Sequence, residues 1–72
     1  MSMINKIQEF HLGLKKGQTV KIITALDNYV TYVNRTDVLK DDDGLLLILR
    51  ANGAKVILNC DYVVAACVVE RL

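Results

Sequence analysis

The amino-acid sequence predicts a mainly β fold, a small closed or nearly closed barrel of five short antiparallel strands opened by one N-terminal α-helix. Three observations predict it. Apolar residues recur at helical spacing only between Ser2 and Leu14. From Thr19 onward β-branched and alternating residues take over, in runs of strand length. Turns rich in Asp, Asn and Gly separate these runs, and the chain has no proline. Short consecutive antiparallel strands of this kind favour a small barrel.

The helix spans Ser2 to Leu14. Ile4, Ile7, His11 and Leu14 fall at three- and four-residue steps with Phe10 beside them, an amphipathic stripe. Ser2 can cap its start. Gly13 and Gly17 stop it around Leu14-Lys15-Lys16, and the two lysines suit the C-terminal dipole. The barrel follows over residues 18–71. Val20, Ile22 and Thr24 share one face of the first strand, with Thr19, Lys21 and Ile23 on the other. Leu26-Asp27-Asn28-Tyr29 reads as a turn, after which a second strand runs from Tyr29 through Leu39. Lys40-Asp41-Asp42-Asp43-Gly44 breaks it, and Leu45–Leu49 follows as a third, wholly apolar strand. Asn52-Gly53 is a two-residue hairpin signal joining it to Ala54–Leu58. Asn59-Cys60-Asp61 forms a tight corner before the last strand, Tyr62–Val69.

Length and composition bound the rest. Seventy-two residues make one domain, 1–72, and leave no room for a multidomain enzyme. No apolar stretch reaches the roughly 20 residues of a membrane-spanning helix, and no secretory pattern opens the chain, so a soluble cytoplasmic protein with no membrane partner is expected. Net charge is +1, so nucleic-acid binding has to come from local patches. Cys60 and Cys67 lack zinc-ligand spacing and read as reduced core residues. The hydrophobic fraction of 53% exceeds the usual 45–50% or so, and a domain this small buries only about 60% of its unfolded surface. Leu45–Leu49 and Tyr62–Val69 are apolar on both faces. One face fills the barrel, and a neighbouring subunit is the simplest cover for the other.

The order of elements, a helix, then Gly17-Gln18-Thr19-Val20-Lys21-Ile22, then five strands with a sharp corner before the last, resembles the Sm/Lsm family over nearly the whole chain. Leu26-Asp27-Asn28-Tyr29-Val30 resembles the Phe-Asp-Asn-Phe-Val stretch of the bacterial, Hfq-type members, one hairpin earlier. Asp43-Gly44-Leu45-Leu46-Leu47 resembles the family's acidic turn, and Val56–Val64 lies where its second motif belongs. The resemblance implies a strongly bent, SH3-type barrel and homo-oligomeric rings of five to eight subunits built by strand addition. The nucleotide contacts depart from the family. Gly44 or Leu45 stands where other members have Asn, Leu58-Asn59 replaces their Arg-Gly pair, and Ile57-Leu58-Asn59 replaces the Tyr-Lys-His triplet.

Catalysis finds little support, with one histidine and few convergent polar residues, and no cofactor is expected. His11 falls on the helix stripe and reads as a packing residue. Three consecutive aspartates, Asp41–Asp43, point in different directions and read as a solvated turn rather than a cation site. For single-stranded RNA the candidates are Asn59, which the resemblance places toward a central pore, Lys15, Lys16, Lys21, Arg35, Lys40, Arg50 and Lys55 as phosphate contacts, and Tyr29, Tyr32 and Tyr62 as stacking platforms, with Asn59, Lys15, Lys16, Tyr29, Tyr62 and Arg50 foremost. Asn59 serves equally well as a turn former, and the charges as solvating groups. The expected function is a non-catalytic, ring-forming RNA-binding protein. The alternative is an oligomeric scaffold or protein-interaction module of the same fold without a nucleotide pocket.

Overall fold

The computed structural model describes residues 3–25 and 29–71. The helix start at Ser2 and the turn at Leu26-Asp27-Asn28 lie outside them. Helix α1 (Met3–Leu12) buries Ile4 and Ile7 and rests on the sheet below through this stripe. It ends two residues before the expected position: Gly13 N–H donates to the carbonyls of Glu9 and Phe10, both at 3.2 Å, and Leu14 turns back into the core. His11 stays half-buried, and its Nε2 donates to the Asn34 carbonyl at 3.1 Å, which ties the helix end to the sheet.

Among the described residues six strands follow: β1 (Gln18–Thr24), β2 (Val30–Asn34), β3 (Val38–Asp42), β4 (Leu45–Leu49), β5 (Lys55–Asn59) and β6 (Val63–Glu70). They form two antiparallel three-stranded sheets, ordered β2-β1-β6 and β3-β4-β5. The sixth strand arises because the expected second strand is cut in two. Between Asn34 and Asp37 the chain closes a tight turn: Asp37 N–H donates to the Asn34 carbonyl at 3.0 Å, and Asp37 Oδ2 accepts from Asn34 N–H at 2.9 Å. Its two halves then enter different sheets. Among the described residues no strand pairing joins these sheets, so the arrangement is not a closed barrel.

Turn chemistry sets the other connections. Asp43 and Gly44 both have positive φ, 52° and 87°, as a two-residue type I′ hairpin requires, and they let Asp42 pair with Leu45. The second hairpin is one residue longer than Asn52-Gly53 suggests. Arg50 N–H donates to Ala54 O at 2.8 Å and Gly53 N–H to Arg50 O at 3.0 Å, with Gly53 at φ 91°, so the loop is Ala51–Gly53. Between β1 and β6 the register slips at Ile23/Thr24, and Val64 is the extra residue of a bulge.

Alternation puts Val20 and Ile22 of β1, Val33 of β2 and Leu46 and Ile48 of β4 in a common core with Ile4, Ile7, Leu14 and Leu58. Thr19 is buried too, and its hydroxyl donates to the Val33 carbonyl at 2.7 Å. The two sheets are also joined by a polar pin. Arg50, just past β4, donates through one terminal nitrogen to Asp37 Oδ2 at 2.7 Å and to the Tyr32 carbonyl on β2. The Asp37 side chain is 3% exposed. Removing one partner of such a pair strands the other without solvation. Asp37→Ala is therefore expected to lower unfolding stability by about 3 kcal/mol in urea denaturation, with the denaturant slope unchanged. A loss below about 1 kcal/mol would show that the pin is dispensable.

Candidate nucleic-acid interface

The outer edge of β2 faces the β4–β5 hairpin across an open cleft of 460 Å³. Tyr29 and Tyr32 on the β2 side, Arg50 and Asn52 on the hairpin side, and Arg71 from beyond β6 line it. Arg71 reaches the cleft because β6 pairs with β1 and its own N–H donates to the Gly17 carbonyl at 2.7 Å. Its guanidinium lies over the Tyr32 ring, 4.4 Å from the centroid. Among the described residues no carboxylate lines the cleft. A smaller hollow of 200 Å³ shares Asn34, Arg50 and Asn52 with it and is lined by the Asp37–Arg50 pair.

Three of the residues singled out from the sequence, Tyr29, Tyr32 and Arg50, thus meet in one place. Their roles differ. Tyr29 is half exposed, with its carbonyl accepting from Thr24 N–H at 3.0 Å. Arg50 has a terminal nitrogen committed to Asp37 and Tyr32, so it serves first as a structural pin. Lys15 and Lys16 are exposed and lie beyond the end of α1 rather than in its last turn. The backbone that carries them is nonetheless tied to Arg71 through Gly17.

Asn59 and Tyr62 fall elsewhere, at the far end of β4 and β5. Asn59 opens a single 3-10 turn, Cys60–Tyr62, and its side-chain oxygen accepts from Asp61 N–H at 3.0 Å. That is the turn-forming role. The corner is acidic: Asp61 lies in it, and Asp41 on β3 is close enough to act on Cys60. The Cys60 thiol is held above its ordinary pKa mainly by burial and further by the charges of Asp41 and Asp61. Cys67 departs from its expected place in the core and is exposed on β6. Among the described residues no group of His, Cys, Asp and Glu is arranged to hold a metal ion, and no helix is long and apolar enough to cross a membrane.

The cleft residues that sequence reasoning did not single out are Arg71 and Asn52, and Asp37, which holds Arg50 from outside the cleft, was not singled out either. Strand pairing brings Arg71 to Tyr32, and residue spacing carries no sign of that pairing. Asn52 was legible only as a turn residue.

Two of the edge strands, β5 and β6, carry much of the exposed apolar surface. Among the described residues β5 pairs with β4 alone and β6 with β1 alone, so each leaves one edge free. Ile57 on β5 is 66% exposed and Val64 on β6 is 61% exposed, with Ala65, Cys67 and Val68 also open to solvent. Comparison with known protein families, curated proteins and solved structures finds no match for this chain.

Because the protonated form of Cys60 is favoured in the fold, its thiolate is scarcer near pH 8 than in the unfolded chain. Alkylation of Cys60 is accordingly expected to be slower in native protein than in urea, with the gap closing as pH rises through the elevated pKa. Equal rates at pH 8 would rule the shift out.

Proposed function

We propose that the chain is an Sm-like, cytoplasmic, non-catalytic subunit that assembles through its free edge strands into a homo-oligomeric ring and binds single-stranded RNA. The observation that carries this reading is the strand order. Each sheet has two edge strands, β2 and β6 in one and β3 and β5 in the other; the turn at residues 34–37 links β2 to β3, and β6 and β5 are the edges on the far side of each sheet from that turn. Both edges carry exposed apolar residues, and the tight 3-10 corner connects them in sequence. An edge strand with open N–H and C=O groups and apolar side chains is a template for strand addition. A β5-to-β6 contact is heterologous, and such contacts close into rings when the rotation permits. The split second strand supports the strongly bent strand that the family resemblance implies.

RNA binding is supported by the cleft of Tyr29, Tyr32 and Arg71, and by the exposed Lys15 and Lys16 that precede Gly17, the backbone partner of Arg71; assembly repeats them once per subunit. A second reading has one specific observation in its favour. The Asn59 corner, where the family resemblance would put a nucleotide, is acidic and has its amide oxygen already engaged. An oligomeric scaffold that binds no RNA fits that corner.

At low micromolar concentration the native mass is expected to be that of several protomers, and Ile57→Lys combined with Val64→Lys to reduce it to one. A wild-type monomer would overturn the ring. Short single-stranded RNA is expected to bind, with affinity falling at least about tenfold between about 50 mM and about 200 mM salt. If neither uridine-rich nor adenine-rich oligomers bind at low salt, the scaffold reading replaces RNA binding.

A further inference from the structure

The geometry points to the cleft beside β2 as a complete mononucleotide site within one protomer, taking a base against Tyr29 and a phosphate on Arg71. This rests on the reading of the chain as an RNA binder and narrows it to one cleft and one unit of ligand.

Four features converge there. The cleft volume of 460 Å³ falls in the range of about 300–1,000 Å³ typical of small-ligand sites. Of the two guanidinium groups lining it, Arg50 is already paired with Asp37 and the Tyr32 carbonyl. Arg71 has one face on the Tyr32 ring, and among the described residues no carboxylate pairs with it. A guanidinium oriented by stacking, with its N–H edge uncommitted to an acid, is suited to a phosphate. Tyr29 lines the cleft half exposed, and an open aromatic ring stacks with any base. One polar side chain able to read a base or ribose lines the same cleft. Asn52 spends its side-chain oxygen on Ala54 N–H at 3.0 Å, which leaves its amide hydrogens as donors. Thr31 also belongs to the wall, but its hydroxyl is buried on the Val33 side of β2 and is not a ligand contact.

Charge separates this site from the rest of the molecule. The other end of β4 and β5 carries Asp41, Asp42, Asp43 and Asp61 and repels a phosphate. A bare anion would use Arg71 alone, and a neutral aromatic would use Tyr29 alone. Only a ligand with both a planar ring and a phosphate uses the whole cleft.

The test is titration of the full chain with adenosine 5′-monophosphate, adenosine and inorganic phosphate, followed by backbone amide NMR. The monophosphate is expected to bind at least about tenfold more tightly than either fragment and to shift the amides of Tyr29, Thr31, Asn52 and Arg71. Arg71→Ala and Tyr29→Ala are each expected to weaken it about tenfold, while Tyr29→Phe, which keeps the ring, retains binding. Arg71→Lys, which keeps the charge but not the planar fork, is expected to fall between wild type and Arg71→Ala. Inorganic phosphate binding as tightly as the nucleotide would overturn the site, as would shifts confined to the Asn59 corner. Oligomeric RNA that binds with unchanged affinity in Arg71→Ala and Tyr29→Ala would also overturn the site while leaving RNA binding intact. Failure of both oligomer and monophosphate at low salt would sink the two together.

Discussion

A buried carboxylate survives in a folded chain only where donors surround it, and Asp37 has two. The Asn34 amide closes the turn that ends β2, and the Arg50 guanidinium arrives from the end of β4. The same guanidinium nitrogen caps the Tyr32 carbonyl on the outer edge of β2. One acidic side chain therefore fixes the angle between the two sheets and the position of the hairpin opposite β2. The cleft exists because Arg50 spans it at one end while the strands stay unpaired along the rest. His11, donating to the Asn34 carbonyl, couples α1 to the same turn.

Much of this architecture was readable from residue order, and the failures have physical causes. The helix stripe of Ile4 and Ile7, the alternation of Val20 and Ile22, and the Asp43-Gly44 turn follow from local preferences, and local preferences are written in neighbouring residues. The break at residues 34–37 was missed because Asn34-Arg35-Thr36-Asp37 holds no glycine or proline. Its turn is closed by the Asp37 side chain, whose stability comes from a residue thirteen positions away. Arg71 on Tyr32 is likewise a product of sheet order rather than spacing. Cys67 was misplaced for a related reason: an apolar run reads as buried, but β6 has a neighbour on one side only.

The chain separates two kinds of surface. Its outer strands present apolar side chains at unpaired backbone edges, which suits contact with another strand. Its β2 side presents aromatic rings and cations, which suits a phosphate-bearing ligand. The Asp41–Asp43 hairpin and the Asp61 corner are placed at the opposite end of β4 and β5 from Arg50. The chain is therefore electrically polar along these strands despite a net charge of only +1.

The pairing of β1 with β6 has a consequence for how the chain comes to be folded. The β3-β4-β5 sheet is a meander whose neighbours in space are neighbours in sequence, so short loop closures suffice to build it. The other sheet is of opposite kind. Gln18 must find Glu70, and the full length of the chain between them has to be closed before β1 gains its second neighbour. Until then the first half of the molecule is a helix and a lone hairpin, an assembly only marginally stable in water. Of the strand pairings described, β1 with β6 therefore carries the largest loop-closure cost.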